Sequence, residues 1–173
     1  MSYIMVDIEA DGPIPGEYSM IALGAVLVTP TLDKTFYAEL RPISARSVPQ
    51  ALAVTGFTRE QTLAFEDPKA VMNRFEQWVL EVSEGRPHFI SDNNGFDWMF
   101  VCWYFHKFLE RNPFGHSSSN LGSIYKGLMG SVFSNFKHLR KRAHTHNALD
   151  DALGNAEVLL ELQDTLNLRI NLS

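Results

Sequence analysis

The sequence predicts an α/β fold in which a central mixed β-sheet is flanked by helices. Two observations support this prediction. Three short apolar segments come early in the chain and are joined by short turns, and a helical segment, a further strand and then mainly helices follow them. This order of elements is typical of a mixed sheet with helices on its faces.

The first three segments are predicted strands. Tyr3–Asp7 is a short apolar strand start, and Ser19–Thr29 is a buried strand that lies between a Gly/Pro loop and Pro30. Thr35–Leu40 alternates between apolar and polar residues. Because Thr29–Asp33 has the composition of a turn, we expect the second and third strands to form a hairpin.

A loop-rich region and a helix come next. Ser44–Leu63 is expected to be mostly loop, with a short helix at Pro49–Val54. Pro68–Val82 carries apolar residues at helical spacing, and Asp67 before the proline is a good N-cap. The short apolar segment His88–Ser91 is a predicted buried strand.

The remaining elements are mainly helical. Phe96–Glu110 is apolar on most sides and is therefore predicted to be a well-buried helix. Pro113–Asn120 is expected to be a loop and Asn120–Leu128 a short helix. Leu149–Leu166, rich in alanine and leucine, is the predicted C-terminal helix.

Length and composition narrow the function classes. The chain has 173 residues, of which 45% are hydrophobic, and this predicts one domain over residues 1–173. Its one cysteine, Cys102, excludes an internal disulfide and a multi-cysteine zinc site. No apolar run approaches the length of a membrane span and no signal peptide is evident, so we expect a cytoplasmic protein without a membrane partner. The net charge of -5 does not indicate a protein that coats duplex DNA, although metal-bound carboxylates would reduce that charge.

Asp7 and Glu9 are the first pair of candidate functional residues. Residues two apart on a strand point to the same face, so both carboxylates face one side where the chain enters a Gly/Pro loop. Two such carboxylates repel each other unless a cation lies between them, and oxygen ligands suit Mg²⁺ or Mn²⁺. Two solvated acids at a strand end would give the same pattern.

Two further clusters follow later in the chain. Asp97 opens a long helix after the fourth predicted strand, at the tip of the sheet where open α/β folds build their sites. His146 precedes Asp151 by five residues at the start of the C-terminal helix, a spacing that lets a histidine reach a metal held by the aspartate. Acids that complement a helix dipole, with Asn147 as a cap, would explain each cluster separately.

Together and in this order, the three clusters resemble the motifs of the DEDDh 3′→5′ exonucleases, the DnaQ-like family of the ribonuclease-H-like superfamily. VDIEADGP resembles the first motif, DNNGFDWMF the second and HNALDDA the third. The segment VPQALAVTGFTREQTLAFEDP also resembles the family's stretch between strand and helix, so the resemblance spans nearly the whole chain. It implies a ribonuclease-H-like fold with a five-stranded sheet.

The resemblance also implies a reaction. A metal-dependent exonuclease would hydrolyse single-stranded RNA or DNA, short oligonucleotides included, from the 3′ end to nucleoside 5′-monophosphates. Asp7, Glu9, Asp97 and Asp151 would hold two divalent cations, Mg²⁺ or Mn²⁺, that activate the water and stabilise the departing oxygen. His146 would be the general base, since histidine titrates near neutral pH. Several relatives are homodimers, so a dimer is compatible with the resemblance.

Eight residues are candidates for contacts with the substrate. The backbone at Ala10 and Gly12 would approach the terminal nucleotide, and Met20 and Phe96 would pack against the last bases, although core packing is the favoured interpretation of Met20 and of Trp98. The other candidates are Asn93 in the second motif and Lys137, Arg140 and Arg142 in the only basic cluster. That cluster would track phosphates or would simply be a solvated surface.

The chain departs from the family pattern at several positions. Asp92 stands where relatives often have histidine, Ala10-Asp11 replaces a threonine pair, and Pro13–Gly16 lengthens the first-motif loop. His144 is a rival for the base and is expected to lie on the surface or the substrate side, and Asp150 is expected to be exposed. The alternatives to an exonuclease are a catalytically weak nucleic-acid-binding module of the same fold, an endonuclease and a small-nucleotide phosphodiesterase.

Overall fold

The computed structural model describes residues 1–170 and 172 and contains one five-stranded mixed sheet. The strands and helices, in chain order, are β1 Ser2–Ala10, β2 Met20–Leu27, β3 Thr35–Glu39, α1 Pro49–Thr55, α2 Arg59–Leu63, α3 Pro68–Val82, β4 Pro87–Ser91, α4 Asn94–Leu109, β5 Ser118–Asn120, α5 Leu121–Leu128 and α6 Ala148–Leu166. A 3₁₀ turn at Lys137–Leu139 lies between α5 and α6.

The sheet has the order β3-β2-β1-β4-β5. β1, β2 and β3 pair antiparallel through two hairpin-type connections, and β4 and β5 are added parallel to β1 and β4. The predicted mixed sheet and the predicted hairpin between the second and third strands are therefore confirmed. The parallel strands follow helices α3 and α4, because a parallel neighbour needs a crossover connection.

Helices cover both faces of the sheet. Ile4, Val6 and Ile8 of β1 pack into the core under α3 and α4, where Phe75 and Phe100 are fully buried. The alternate face of β1 carries Met5, which packs with the buried residues of α5 and α6. The two-residue period of the strand therefore assigns the odd-numbered side chains of β1 to the side of α6.

Local sequence signals account for most element boundaries. Asp67 accepts a hydrogen bond from the backbone N–H of Ala70 at 3.1 Å and caps α3, which begins and ends where the sequence predicts. Helix α2 was not predicted, although Thr58 and Gln61 form a capping box in which each side chain bonds to the other's backbone.

One expectation about the strands needs correction. The segment Pro113–Asn120 was expected to be a loop, but Ser118–Asn120 forms the edge strand β5 beside β4. Its polar sequence carries no apolar alternation, so the hydrophobic pattern could not reveal it. Strand β1 runs to Ala10 and Glu9 pairs with Ala22 of β2, so Asp7 and Glu9 lie on one strand, as the sequence predicts.

None of the helices in the described part of the chain is both long enough and apolar enough to span a bilayer.

Candidate active site

Asp7 and Glu9 lie on the face of β1 that is covered by α6. Both follow Met5 in the two-residue period of the strand, and Met5 packs with residues of α6. Asp7 lies opposite Gly24 of β2, and its side chain is almost completely removed from solvent. The two carboxylates therefore point into the layer between the sheet and α6 and not into bulk water.

Asp97 lies in the first turn of α4, which begins three residues after β4 ends. The side chain is buried and its Oδ2 atom has no hydrogen-bond partner among the described residues. Burial raises the pKa of Asp97 to about 7, and the charge of Asp92 adds to this effect. A buried carboxylate oxygen without a partner costs free energy, and a bound cation would satisfy it.

Asp151 lies in the first turn of α6 and is held by the turn that precedes the helix. Its Oδ1 accepts a hydrogen bond from the backbone N–H of Thr145 at 3.0 Å, and its Oδ2 accepts one from the N–H of His146 at 2.9 Å. Asn147 caps the helix by accepting from the N–H groups of Leu149 and Asp150. Asp150 is exposed, as expected.

Gly24 allows α6 to lie directly on the sheet beside Asp7. A Cβ atom at Gly24 would lie 2.3 Å from the carbonyl carbon and oxygen of Ala148 and from the backbone nitrogen of Leu149. No side chain fits between β2 and the first turn of α6 at this point. The close approach carries Asp151, one helical turn further on, to the carboxylates of β1.

The four acids form one cluster with little compensating positive charge. Oxygen atoms of Asp7, Glu9 and Asp151 lie within 4.8 Å of one another. Burial, reinforced by the charges of Asp97, Glu9 and Asp151, raises the pKa of Asp7 well above its ordinary value, and the charge of Arg140 opposes this rise.

Glu9 is affected in the same way. Burial and the charges of Asp151 and Asp97 raise its pKa to about 8. Carboxyl groups that repel each other in this way are typical of a divalent-cation site, because a bound cation replaces the missing positive charge. The donor set is entirely oxygen, which suits Mg²⁺ or Mn²⁺. The residues present therefore fit the cations that the sequence motifs imply.

His144 and His146 lie at the solvent side of this cluster. The Nδ1 atom of His146 is 4.0 Å from Oε1 of Glu9, and the Nδ1 atom of His144 is 3.0 Å from Oδ2 of Asp151. The two rings meet edge to face with centroids 4.3 Å apart. His144, expected to lie on the surface or the substrate side, is partly exposed but also contacts an acid of the cluster directly, so the structure brings both histidines to the site.

Three predicted substrate contacts lie in the interior. Met20 is fully buried in the core, and its backbone N–H donates to the hydroxyl of Tyr104 at 2.8 Å. The structure thus places Met20 in the core, as the favoured interpretation predicts, and not against the last bases, because β2 is covered on both faces. Ala10 is also buried, and the ring of Tyr18 fills the space where a Cβ of Gly12 would stand, at 2.1 Å. This packing explains why position 12 is glycine.

The predicted contacts around the start of α4 lie nearer the surface. Asn93 is exposed and makes no side-chain capping bond to the helix that follows it. Phe96 is half-buried and packs against Phe100 with ring centroids 5.0 Å apart. Trp98 packs edge to face on Phe89, as the core interpretation predicts.

The basic cluster is largely engaged within the protein. Arg140 donates to Asp92 at 3.0 Å and to Asn155 at 2.7 Å, and its side chain is only 13% exposed. Arg142 pairs with Glu157 at 2.8 Å. These two arginines therefore hold the segment between α5 and α6 in place, whereas Lys137 is exposed and makes no ion pair within the described residues.

Two positions that depart from the family motifs also have structural roles. Asp11 is fully buried, accepts from the N–H of Ser19 at 2.6 Å and pairs with Arg59 at 2.7 Å. Asp92 forms an ion pair with the guanidinium of Arg140, and this pair connects the end of β4 to the segment before α6.

Sequence reasoning missed Gly24 and the contact of His144 with Asp151. An isolated glycine inside an apolar strand often marks a close backbone approach, and that signal was present at Gly24. No local signal could have revealed the His144 contact, because it depends on the conformation of the turn at His146, whose φ of 57° is in the left-handed region.

Known proteins resemble this chain in sequence and in fold. The family model RNase_T, described as an exonuclease, matches residues 4–159. The 3′-5′ DNA exonuclease Cap18 of Escherichia coli is 37% identical over 129 residues, which are 73% of this chain and 68% of that protein.

Solved structures share the fold at low sequence identity. The cell-death related nuclease 4 (CRN-4) is 18% identical with a TM-score of 0.75, over 94% of this chain and 64% of its own. E. coli exonuclease I in complex with a dA16 oligonucleotide is 16% identical with a TM-score of 0.76, over 94% of this chain and 41% of its own. The present chain thus spans less than two thirds of these two structures.

Proposed function

Because the chain belongs to the DEDDh 3′→5′ exonuclease family, we propose that it removes nucleotides from the 3′ end of single-stranded DNA and releases nucleoside 5′-monophosphates. The observation that carries this proposal is the convergence of Asp7, Glu9 and Asp151 on one point, where burial and the charges of the neighbouring acids, Asp97 among them, raise the pKa of Asp7 and of Glu9. We treat residues 1–173 as a single exonuclease domain.

The four carboxylates would hold divalent cations, Mg²⁺ or Mn²⁺. When bound, a pair of such cations acidifies the attacking water and stabilises the departing 3′ oxygen. The chain's own contribution is rigidity. Asp97 is fixed by burial in α4, and Asp151 is fixed by two backbone N–H groups, so both carboxylates are oriented before any ligand arrives.

His146 is the proposed general base. It stands at the solvent-accessible side of the cluster, with its side chain 41% exposed and its Nδ1 4.0 Å from Glu9. An imidazole in this position would accept a proton from water above the carboxylates and release it to solvent. The left-handed backbone at His146 directs its N–H toward Asp151 and holds the ring beside Glu9.

The preference for DNA rests on the relatives. The E. coli relative is named as a DNA exonuclease, and exonuclease I, which shares the fold, has been solved with a DNA oligonucleotide. Single-stranded substrate is also supported by the charge of the protein, because a net charge of -5 does not favour a long duplex footprint.

A path for the strand is supported by the segment between α4 and α6. Residues 111–149 contain six of the fifteen basic residues and none of the twenty acidic ones. A groove in this region is lined by Asp92, Lys137, Arg140, Arg142, Ala143 and His144, and His144 in its wall also contacts Asp151 of the carboxylate cluster. Phe133, in the same segment of the chain, is 93% exposed, as expected of a ring that stacks on a base.

The experiment is a time course on matched 5′-labelled single-stranded DNA and RNA, each with Mg²⁺, with Mn²⁺ and with EDTA. We expect a metal-dependent ladder that shortens from the 3′ end and is faster on DNA. A ladder that is faster on RNA would overturn the DNA preference. A single internal cut would indicate an endonuclease, and no cleavage by the folded protein would indicate a binding module or a small-nucleotide phosphodiesterase.

A further inference from the structure

His144, His146 and Asp151 form a second set of potential metal ligands beside the carboxylate cluster. One donor atom of each residue lies within 4.8 Å of the others. The imidazole of His144 contacts Asp151 at 3.0 Å, and the two rings lie edge to face 4.3 Å apart. This set contains two nitrogen donors, whereas the set of Asp7, Glu9 and Asp151 contains oxygen donors only.

The backbone holds these three groups together. The N–H groups of Thr145 and His146 both donate to the Asp151 carboxylate, so the turn wraps around it. Residues 144 and 146 flank this turn, and the left-handed φ of His146 brings the two rings to the same side. Each oxygen of Asp151 keeps a further lone pair for a ligand. The arrangement therefore needs no refolding of the turn to admit an ion.

Two imidazoles and one carboxylate suit zinc and not magnesium. Zn²⁺ binds nitrogen at about 2.0–2.1 Å and carboxylate oxygen at about 2.0–2.2 Å in a tetrahedral arrangement, which needs ligand atoms roughly 3.3 Å apart. The His144–Asp151 separation of 3.0 Å is close to this value, and the His146 donor lies within 4.8 Å of both, so rotation of the two histidine side chains would complete the site. Mg²⁺ prefers oxygen ligands and near-octahedral geometry.

We propose that His144, His146 and Asp151 bind one Zn²⁺ ion per chain, with water at the fourth position. Zinc bound at this site would inhibit the exonuclease activity, a consequence that rests on the proposed function. A Zn²⁺ ion held there occupies the nitrogen of the proposed base and competes for a carboxylate of the magnesium cluster. Because Zn²⁺ binds nitrogen-containing sites more tightly than lighter divalent ions, it would act in the presence of a large excess of Mg²⁺.

The test measures zinc binding directly. The folded protein is titrated with Zn²⁺ against a chromophoric chelator in millimolar Mg²⁺, as wild type, as His144→Ala and as the control His116→Ala. His116 is exposed and lies outside the ligand set. We expect one ion per chain in the wild type, unchanged affinity in His116→Ala and at least about tenfold weaker binding in His144→Ala.

Two results would overturn the proposal. Equal zinc affinity in His144→Ala and the wild type would place the ion on the carboxylates alone. No zinc binding by the wild type in Mg²⁺ would leave the His144 contact with Asp151 without a role in metal binding. X-ray absorption at the zinc edge gives a second readout, for which we expect two imidazole ligands in the wild type and one in His144→Ala.

Exonuclease assays with added Zn²⁺ separate the two proposals. Zinc binding that depends on His144 in a protein without nuclease activity would leave the metal site standing and remove the proposed function. Nuclease activity that zinc inhibits equally in the wild type and in His144→Ala would leave the function standing and remove the zinc site.

Discussion

Gly24 of β2 and Ala148 of α6 lie in direct backbone contact, with no room for a side chain between them. A Cβ at Gly24 would lie 2.3 Å from the carbonyl oxygen of Ala148. Gly24 also pairs with Asp7 across the sheet, so the glycine lies beside one proposed metal ligand and under the helix that carries another. The short distance between β1 and Asp151 is therefore possible only because residue 24 has no side chain.

Gly24→Ala should move Asp151 away from the other carboxylates and reduce nuclease activity strongly, while it lowers the stability of the fold only moderately. The new methyl group must push the first turn of α6 away from the sheet. This displacement moves Asp151 away from Asp7 and Glu9. We expect nuclease activity to fall at least about a hundredfold, since misplacement by about 1 Å has that effect, together with a loss of about 1–3 kcal/mol in the free energy of unfolding. The measurements are a nuclease assay and a denaturant titration.

Gly127→Ala is the matched control for this substitution. Gly127 lies in α5 with no atom within 4 Å of its added Cβ, so the alanine should leave activity unchanged and stabilise the helix by about 0.5–1 kcal/mol. Full activity in a folded Gly24→Ala variant would show that the position of α6 tolerates displacement.

Asp151→Asn and Asp150→Asn distinguish a metal ligand from a neighbouring acid. Both residues lie in the first turn of α6, but Asp151 is buried in the cluster and Asp150 is exposed. We expect Asp151→Asn to lower the rate by about three orders of magnitude, or ~4 kcal/mol of the activation barrier, and Asp150→Asn to change it less than about threefold. Equal losses in both variants would assign the effect to the helix terminus and not to metal binding.

His146→Ala should remove proton transfer and leave the carboxylates intact. We expect kcat to fall by about 10²–10⁴-fold, the usual contribution of a general base, with the Mg²⁺ concentration for half-maximal rate unchanged. His116→Ala serves as the control, and a His146→Ala variant with the wild-type rate would move the base assignment to His144.

Asp7→Asn should stabilise the protein in EDTA while abolishing activity. The pKa of Asp7 is raised in the folded state, so the folded protein binds this proton more tightly than the unfolded chain. Stability is therefore retained below the ordinary pKa of 3.8 and is lost as the pH rises through the folded-state pKa. Asparagine carries no charge and avoids this loss.

Thermal unfolding of Asp7→Asn and the wild type at about pH 5 and about pH 8 checks this prediction. Since 1 kcal/mol corresponds to ~2–4 °C for a domain of this size, we expect Tm of the variant to exceed that of the wild type by at least about 2 °C at the higher pH. The difference should shrink at the lower pH, and Mg²⁺ should raise Tm of the wild type only. A lower Tm for the variant at both pH values would contradict the electrostatic origin of the shift.

Phe133→Ala should weaken the binding of single-stranded DNA without affecting the fold. The ring is almost fully exposed, so its removal costs the core nothing, whereas a lost base stack costs about 1–3 kcal/mol, or roughly 5–150-fold in Kd. The control is Leu80→Ala, an exposed apolar residue on the outer side of α3. Fluorescence anisotropy with a labelled oligonucleotide in Ca²⁺ measures both, and equal affinities for Phe133→Ala and the wild type would exclude stacking at this position.

Most of the fold could be predicted from local patterns. Helix α3 was predicted to the residue because Pro68 and Asp67 mark its start, and β2 was predicted because nothing polar interrupts it. Strand β5 was not, since an edge strand of polar residues pairs through its backbone and leaves no hydrophobic signature.

The candidate site divides in a similar way. The spacing of Asp7, Glu9, Asp97 and Asp151 in the sequence identified the carboxylates through their resemblance to a known family. Their convergence could not be derived from spacing alone, because β1, α4 and α6 are far apart along the chain. Sequence alone left Met20 as both a candidate base contact and a core residue, and the tertiary structure places it in the core because β2 is buried on both faces.

The sequence by itself determined which residues carry charge and chemistry, the class of fold and the family. The tertiary structure decided which of those residues come into contact and shift one another's pKa. Local patterns report periodicity and capping, which depend on neighbours a few positions away. The contact of α6 with Gly24, the pairing of Arg140 with Asp92 and the meeting of His144 with Asp151 depend on groups that only packing brings together. Burial is a property of that packing, and burial raises the pKa values that make this carboxylate cluster fit for a divalent cation.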